Sequence, residues 1–429
     1  MKKWIGSILI AGLIVQIVQS SLGITSVKAE ENNNINQEVE KNEPSIIGTN
    51  GAVIDAYSGK FLYTKNENEK AYPASITKVL TAILIKENLK NDDTITFSKR
   101  AASQEPSNQQ ILYKEGEKIS VDDALESLMI ISSNDVAFAL AEAVAGSVEK
   151  FADMMNEKAK ELGATNTHFE TPNGLPNEKH FTTAHDMALF GREILKYPDI
   201  VEKMGQREAV IKTNERTVTI KSPNNIPEEN PNAIGGKTGY TDAAQHTLIE
   251  ILKKGDKKVI AVTMHSTKSG KYSDINVMSD YAFSKIQTKK LFEKGEVYHI
   301  FEMNDKEFPL TLKEDAVISY VGNEGKFTQS IKWNTSKKEY KAGETVAWLI
   351  VKSNGKQVGK FALKTNKKFA PNTVDKDKKS MGITDEASPA FPSNSHTSYV
   401  WTIAIIFLVP LFTFLFLNVM MNKKKKRSF

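Results

Sequence analysis

Three serines in this chain stand three residues ahead of a lysine: Ser75 before Lys78, Ser147 before Lys150, and Ser353 before Lys356. A serine hydroxyl is a poor nucleophile until a neighbouring base takes its proton, and a lysine can be that base only when neutral. On a helix the i,i+3 spacing places both side chains on one face. Ser75 opens an apolar helical stretch, where free backbone N–H groups and the helix dipole favour an oxyanion. Downstream of it come Ser132-Ser133-Asn134 and Lys237-Thr238-Gly239. Neither is rare alone, since Ser-x-Asn recurs at Ser222/Asn224 and Lys268-Ser269-Gly270 is a variant of the third motif. Ser147 opens a helix but has no such partners at matching distances, and Ser353 falls in a polar turn. The expected chemistry is therefore acyl transfer through Ser75. Lys78 serves as base, its pKa lowered by burial and by the charge of Lys237. Ser132 relays a proton to the leaving amine and Asn134 holds the substrate amide. Lys237 and Thr238 bind a free carboxylate, and Gly239 lets the substrate backbone come close.

Other chemistries fail on their own requirements. No serine has glycine two residues away on both sides, so a nucleophile elbow is absent. Gly236-Lys237-Thr238 does not end a phosphate-binding loop, because the required earlier glycine is Pro231. There is no His-Glu-x-x-His. His180 and His185 are five apart, off one helix face, and read as structural. With no cysteine, neither disulfides nor thiol chemistry are available. Asp122 and Asp123 begin a helix and read as dipole partners. No metal and no cofactor are expected.

The elements that must hold these residues follow from periodicity. Residues 51–65 have apolar runs on both sides of Tyr57-Ser58-Gly59-Lys60 and predict a β-hairpin. Pro73 starts a helix whose Ile76, Val79, Leu80, Ile83 and Leu84 make a buried face. Residues 121–145, 148–162 and 183–196 read as helices, the last capped by Thr182 or Thr183. Residues 217–220, 246–251 and 258–264 read as strands, and 279–286 as a closing helix. Strands at both ends of the segment with helices between them predict an α/β (α+β) domain over 46–288 whose sheet joins its two ends. Lys237-Thr238-Gly239 belongs on a strand edge facing the Ser75 helix. Beyond it, short β-rich runs at 296–300, 308–312, 316–320, 328–332, 344–352 and 357–363 predict a small all-β sandwich over 291–368.

The two ends carry targeting signals. Residues 1–29 read as a signal peptide, with Lys2 and Lys3, an apolar stretch from Ile8 to Val18, and Val27-Lys28-Ala29 for cleavage. Residues 30–45 are a polar, flexible leader and 370–397 a linker. Residues 399–421 contain no charge and at about 1.5 Å per residue suffice for a transmembrane helix. The basic tail 422–429 then stays in the cytoplasm, so the protein is exported and membrane-anchored, with its catalytic domain on the extracytoplasmic side. The net charge of +5 arises from these ends, which hold +3 and +5 and leave −3 between them. That argues against a nucleic-acid partner.

The three motifs, with AYPASITKVLTA around Ser75, ISSNDVAFALAE around Asn134, FETPNGLPNEKHFTTAHDMALFGREIL and GGKTGYTDAAQHTL, resemble the low-molecular-mass penicillin-binding proteins, serine-type D-alanyl-D-alanine carboxypeptidases. The resemblance implies a two-lobed serine-transpeptidase or β-lactamase-like fold, with a five-stranded sheet flanked by helices and a C-terminal sandwich. It implies peptidoglycan stem peptides ending in D-Ala-D-Ala as substrates and β-lactams as covalent inhibitors. It also implies an oxyanion hole from the backbone N–H groups of Ser75 and Tyr240. Asn173-Gly174-Leu175 stands where the family often has His-Gly-Leu, a change expected to be neutral. The family usually anchors by an amphipathic helix, not a full span. A β-lactamase would need a deacylating Glu in Glu-x-x-Leu-Asn, and none occurs. A D,D-endopeptidase of the same fold and a non-catalytic penicillin- or peptidoglycan-binding protein are the alternatives.

Overall fold

The computed structural model describes residues 43–370, apart from 108–109, 304–305 and 323–326. The expected signal peptide, transmembrane helix and basic tail, together with nearly all of the leader and linker, lie outside the described residues. Among the described residues no helix is long and apolar enough to cross a membrane. The chain divides into two compact units between Thr288 and Lys289.

The first unit begins with the expected hairpin, β1 (Asn50–Asp55) and β2 (Phe61–Lys65), turning through Gly59 at φ +71°. A 3₁₀ turn over Ala74–Thr77 follows Pro73 and leads into α1 (Lys78–Asn88). The α-helix thus starts at the lysine, and Ser75 sits in the tighter turn before it, where residues three apart nearly eclipse. Lys78 to Ile85 are all buried, so α1 is enclosed on every side. Each of its aliphatic side chains contributes roughly 1.5–3 kcal/mol on leaving water, which is what fixes the helix under the lysine.

Short strands β3 (Thr94–Thr96) and β4 (Lys118–Ser120) pair before α2 (Val121–Ile130) and α3 (Asn134–Ala145). The apolar periodicity of 121–145 predicts one helix, and the structure corrects this to two. Ser132 takes φ +63°, a left-handed conformation that no helix continues through. α4 (Val148–Glu161), α5 (Ala184–Glu193) and α6 (Pro198–Gly205) complete the helical lobe. Thr183 caps α5 by accepting from the Asp186 N–H, and Ser147 caps α4 by accepting from Lys150. Ser147 thus serves as the cap of this helix. Asp123 joins the cap of α2, and Asp122 pairs with Lys203 at 3.0 Å.

The hairpin of β5 (Glu208–Lys212) and β6 (Thr217–Lys221) leads to β7 (Ala233–Thr241), β8 (Gln245–Lys254) and β9 (Lys257–Ser266). The main sheet has the order β2-β1-β9-β8-β7, so its ends do meet, and β7 is its edge. The closing helix, α7 (Gly270–Lys285), begins nine residues before the expected 279, because Gly270 and its polar neighbours hide the start. The Asp274 carboxylate, buried near that start, accepts from the Ile47 and Gly48 N–H groups and from the Thr263 and Ser266 hydroxyls. It fastens Ile47 and Gly48 beside β9.

The second unit is β-rich. β10 (Ile286–Phe292) pairs with β13 (Ala316–Val321). β11 (Val297–Met303), β12 (Lys306–Leu312), β14 (Phe327–Trp333), β15 (Thr345–Ser353) and β16 (Lys356–Lys364) form a sheet of order β11-β12-β16-β15-β14. Phe301, Leu310, Ile318, Leu349, Val351 and Leu363 share its core.

Candidate active site

The three motifs come together in one cleft of about 820 Å³, lined among others by Ser75, Ser132, Asn134, Asn173, Thr238, Gly239 and Tyr240. The turn before α1 supplies Ser75, half-buried, and Lys78, fully buried. The break between α2 and α3 supplies Ser132 and Asn134. The free edge of the sheet supplies Lys237, Thr238 and Gly239.

Lys78 Nζ lies 2.9 Å from Ser75 Oγ, 2.8 Å from Asn134 Oδ1 and 2.8 Å from the Asn173 carbonyl oxygen. The amide of Asn134 is oriented by its Nδ2, which donates to the Glu105 carbonyl at 2.8 Å. Two of the three neighbours of Nζ are therefore pure acceptors. A neutral amine has two N–H bonds and one lone pair. With both N–H groups given to Asn134 and Asn173, the lone pair is left for the Ser75 hydroxyl. Burial, and then the charge of Lys237, hold Lys78 well below the ordinary lysine range, while Asp135 opposes them weakly. Lys237, also buried, is lowered to about 7 by desolvation. Two ammonium groups in so dry a cleft disfavour one another, which holds the Lys78 amine below its ordinary range.

Lys237 Nζ donates to Ser132 Oγ at 2.9 Å and to its neighbouring Thr238 carbonyl at 2.9 Å. Ser132 is held in its left-handed conformation from the side as well, since Ser107 donates to its carbonyl at 2.7 Å. Gly239 is required by contact: a Cβ there would lie 2.8 Å from the Ser75 nitrogen and 3.0 Å from Ala74 Cβ. Any side chain would fill the space next to the Ser75 N–H. Thr247 on β8 ties the same turn down by donating to the Pro73 carbonyl at 2.9 Å. Tyr240 is exposed at the mouth, its ring 4.6 Å from that of His246.

Sequence reasoning noted Asn173-Gly174-Leu175 but gave the loop no part in the site. Its Asn173 backbone carbonyl accepts from Lys78 Nζ. Gly174 has φ +82°, and a Cβ there would lie 2.6 Å from the Ala74 carbonyl carbon and 2.8 Å from Thr77 Oγ1. The Asn-Gly pair was the available signal, since it marks a left-handed turn. His180 is also more than a packing residue. Its Nδ1 accepts from the Glu170 N–H at 3.1 Å, so Nε2 carries the proton and donates to Thr77 Oγ1 at 3.0 Å. Burial lowers its pKa to about 3. Among the described residues no cluster of three or more His, Cys, Asp or Glu could hold a metal ion.

Geometry of this kind, a serine hydroxyl facing the lone pair of a desolvated lysine beside a sheet edge, is that of enzymes that carry an acyl group on serine. Residues 37–268 match the S11 peptidase family, D-alanyl-D-alanine carboxypeptidase, and the chain belongs to that family. Residues 287–370 match the C-terminal domain of penicillin-binding protein 5. The chain is 34% identical over 342 residues to D-alanyl-D-alanine carboxypeptidase DacF of Bacillus subtilis, covering 77% of this chain and 86% of that one. Among solved structures, D-alanyl-D-alanine carboxypeptidase from Mycobacterium tuberculosis is 28% identical with a TM-score of 0.54, over 57% of this chain and 94% of that chain. The carboxypeptidase DacD from Francisella tularensis shares the fold at 23% identity and a TM-score of 0.55, over 78% of this chain and 98% of that chain.

Proposed function

We propose that this protein is a serine-type D-Ala-D-Ala carboxypeptidase of the penicillin-binding kind, which removes the terminal D-Ala from peptidoglycan stem peptides. The observation that carries the reading is the trio of partners around Lys78 Nζ, which leaves the lone pair of the neutral amine for Ser75. Lys78 takes the Ser75 proton as Oγ attacks the penultimate carbonyl. The oxyanion forms at the backbone N–H groups of Ser75 and Tyr240, next to the gap that Gly239 keeps open. The C–N bond then breaks, and Ser132 hands the leaving amine its proton. Water, deprotonated in turn, hydrolyses the ester and restores Ser75. Asn134 holds the substrate amide, while Lys237 and Thr238 bind the terminal carboxylate. β-Lactams acylate the same serine.

The second unit is read as a small β-sandwich, and the uncharged run 399–421 as a single transmembrane helix behind the signal peptide. Together they make an exported enzyme anchored at the membrane with its catalytic unit outside. The uncharged length and the basic cluster that follows it support this reading.

The test is release of D-Ala from a peptide ending in D-Ala-D-Ala and of D-alaninamide from its C-terminal amide. Each charge-assisted hydrogen bond to the carboxylate contributes roughly 1.5–3 kcal/mol, so the amide should be cleaved at least tenfold more slowly. Ser75→Ala should abolish both reactions and all labelling by penicillin. Equal kcat/KM for acid and amide would favour the endopeptidase, and label remaining on Ser75→Ala would remove the nucleophile assignment.

A further inference from the structure

The second unit has a marked charge asymmetry on one sheet face. Residues 289–370 carry 16 Lys against 10 Asp and Glu. Strands β14, β15 and β16 hold five of those lysines and no acid. Cross-strand pairing fixes which side chains share a face: Lys332 lies opposite Trp348, Ser330 opposite Ile350, Thr328 opposite Lys352, and Ile350 opposite Lys360. Leu349, Val351 and Phe361, which alternate with these, point into the core. Lys332, Lys352 and Lys360 therefore surround Trp348 and Ile350 on the outer face, with Lys360 Nζ 4.5 Å from the centre of the Trp348 ring. All three lysines are exposed.

The ion pairs of this unit are elsewhere: Lys337 with Glu344, Lys368 with Glu339, and Lys290 with Asp315. Among the described residues none of the three face lysines has a carboxylate partner. Like charges gathered on neighbouring strands oppose pairing, so nothing in the stability of the sheet accounts for them. None of the large hydrophobic side chains exposed in this unit, Val297 and Ile300 on β11, belongs to this face. An anionic ligand in solution suits it better than a bilayer, into which exposed apolar side chains would insert.

We propose that the outer face of β14–β16 docks the acidic wall polymer whose stem peptides the first unit trims. This rests on the function proposed above, because the charge complement comes from the substrate itself: every untrimmed stem ends in a free carboxylate, which makes the polymer a polyanion. The lysines pair with carboxylates on stems other than the one in the cleft.

The experiment uses the full chain in non-ionic detergent, with Ser75 blocked by penicillin so that only sites outside the cleft are read. Pelleting with purified peptidoglycan sacculi is measured for the wild type and for the triple variant Lys332→Glu, Lys352→Glu, Lys360→Glu. The wild type should pellet at low salt, release as salt rises, and lose binding to sacculi whose carboxylates have been amidated. The triple variant should bind at least tenfold more weakly, yet release D-Ala from a short soluble peptide at the wild-type rate. Undiminished pelleting of the triple variant, or of the wild type with amidated sacculi, overturns the proposal. Displacement by dihexanoyl phosphatidylglycerol where a soluble muramyl peptide has no effect would assign the face to lipid and overturn it too. Short-peptide turnover without penicillin reads the catalytic assignment separately.

Discussion

Replacing Gly174 by Ala tests whether the loop beside the lysine is part of the catalytic machinery. Two costs can be worked out. At φ +82° an L side chain is strained by roughly 1–2 kcal/mol. The new methyl would also lie 2.6 Å from the Ala74 carbonyl carbon, whereas non-bonded carbons rest at about 3.5–4.0 Å. The loop or the Ser75 turn must therefore move by about 1 Å. The adjoining Asn173 carbonyl, 2.8 Å from Lys78 Nζ, moves with the loop. Nζ then loses one of the two acceptors that orient its lone pair, and a misplacement of that size costs on the order of a hundredfold in rate. The assay is the second-order rate of Ser75 acylation by labelled penicillin, read beside the melting temperature. Acylation should fall by about 10²-fold; the backbone strain of roughly 1–2 kcal/mol alone lowers the Tm by a few degrees, and the clash adds to that loss. A variant with lowered Tm but wild-type acylation would show that the Asn173 carbonyl does not set the base.

Two further predictions follow from the electrostatics. Because the reactive form of Lys78 is neutral and its pKa is held below the ordinary lysine range, acylation should rise with pH on a limb well below 10.5. Lys237→Ala removes a positive neighbour and should move that limb to higher pH, whereas Lys237→Arg should leave it nearly in place; an unmoved limb in Lys237→Ala would sink the coupling. His180, neutral above about pH 3, should add no inflection near pH 6.5 to the profile. His180→Ala should slow acylation, and His180→Gln, which can still donate to Thr77 and accept from Glu170, should recover most of it; equal loss in both would leave His180 a packing residue.

What could be read from sequence divides by whether a side chain or the backbone does the work. Ser75, Lys78, Asn134 and Lys237 meet in the cleft through side-chain atoms, so their residue types and order were visible. The Asn173 and Glu105 carbonyls are groups that every residue possesses, and only the Asn173-Gly174 turn gives a sign of one of them. The fold shows the same division. The hairpin at Tyr57-Ser58-Gly59-Lys60 and the strands of the second unit were legible because turn residues separate their apolar runs. The break at Ser132 was not, because apolar periodicity persists on both sides and only tertiary contacts with Ser107 and Lys237 hold it. β10 was missed because IQTKKLF buries little and alternates weakly.

The clamp at Asp274 has a bearing on how the chain comes into being. The hydrogen bond from Ile47 to its carboxylate spans 227 positions, and β1 cannot gain its neighbour β9 until residues near 264 exist. Contacts so distant along the chain close late, since the entropy of the intervening loop must be overcome before they form. β1 is thus made early in synthesis but remains without its central partner until most of the unit has been produced. The sheet therefore has no native stopping point halfway along the chain, and its closure waits for the residues of β9.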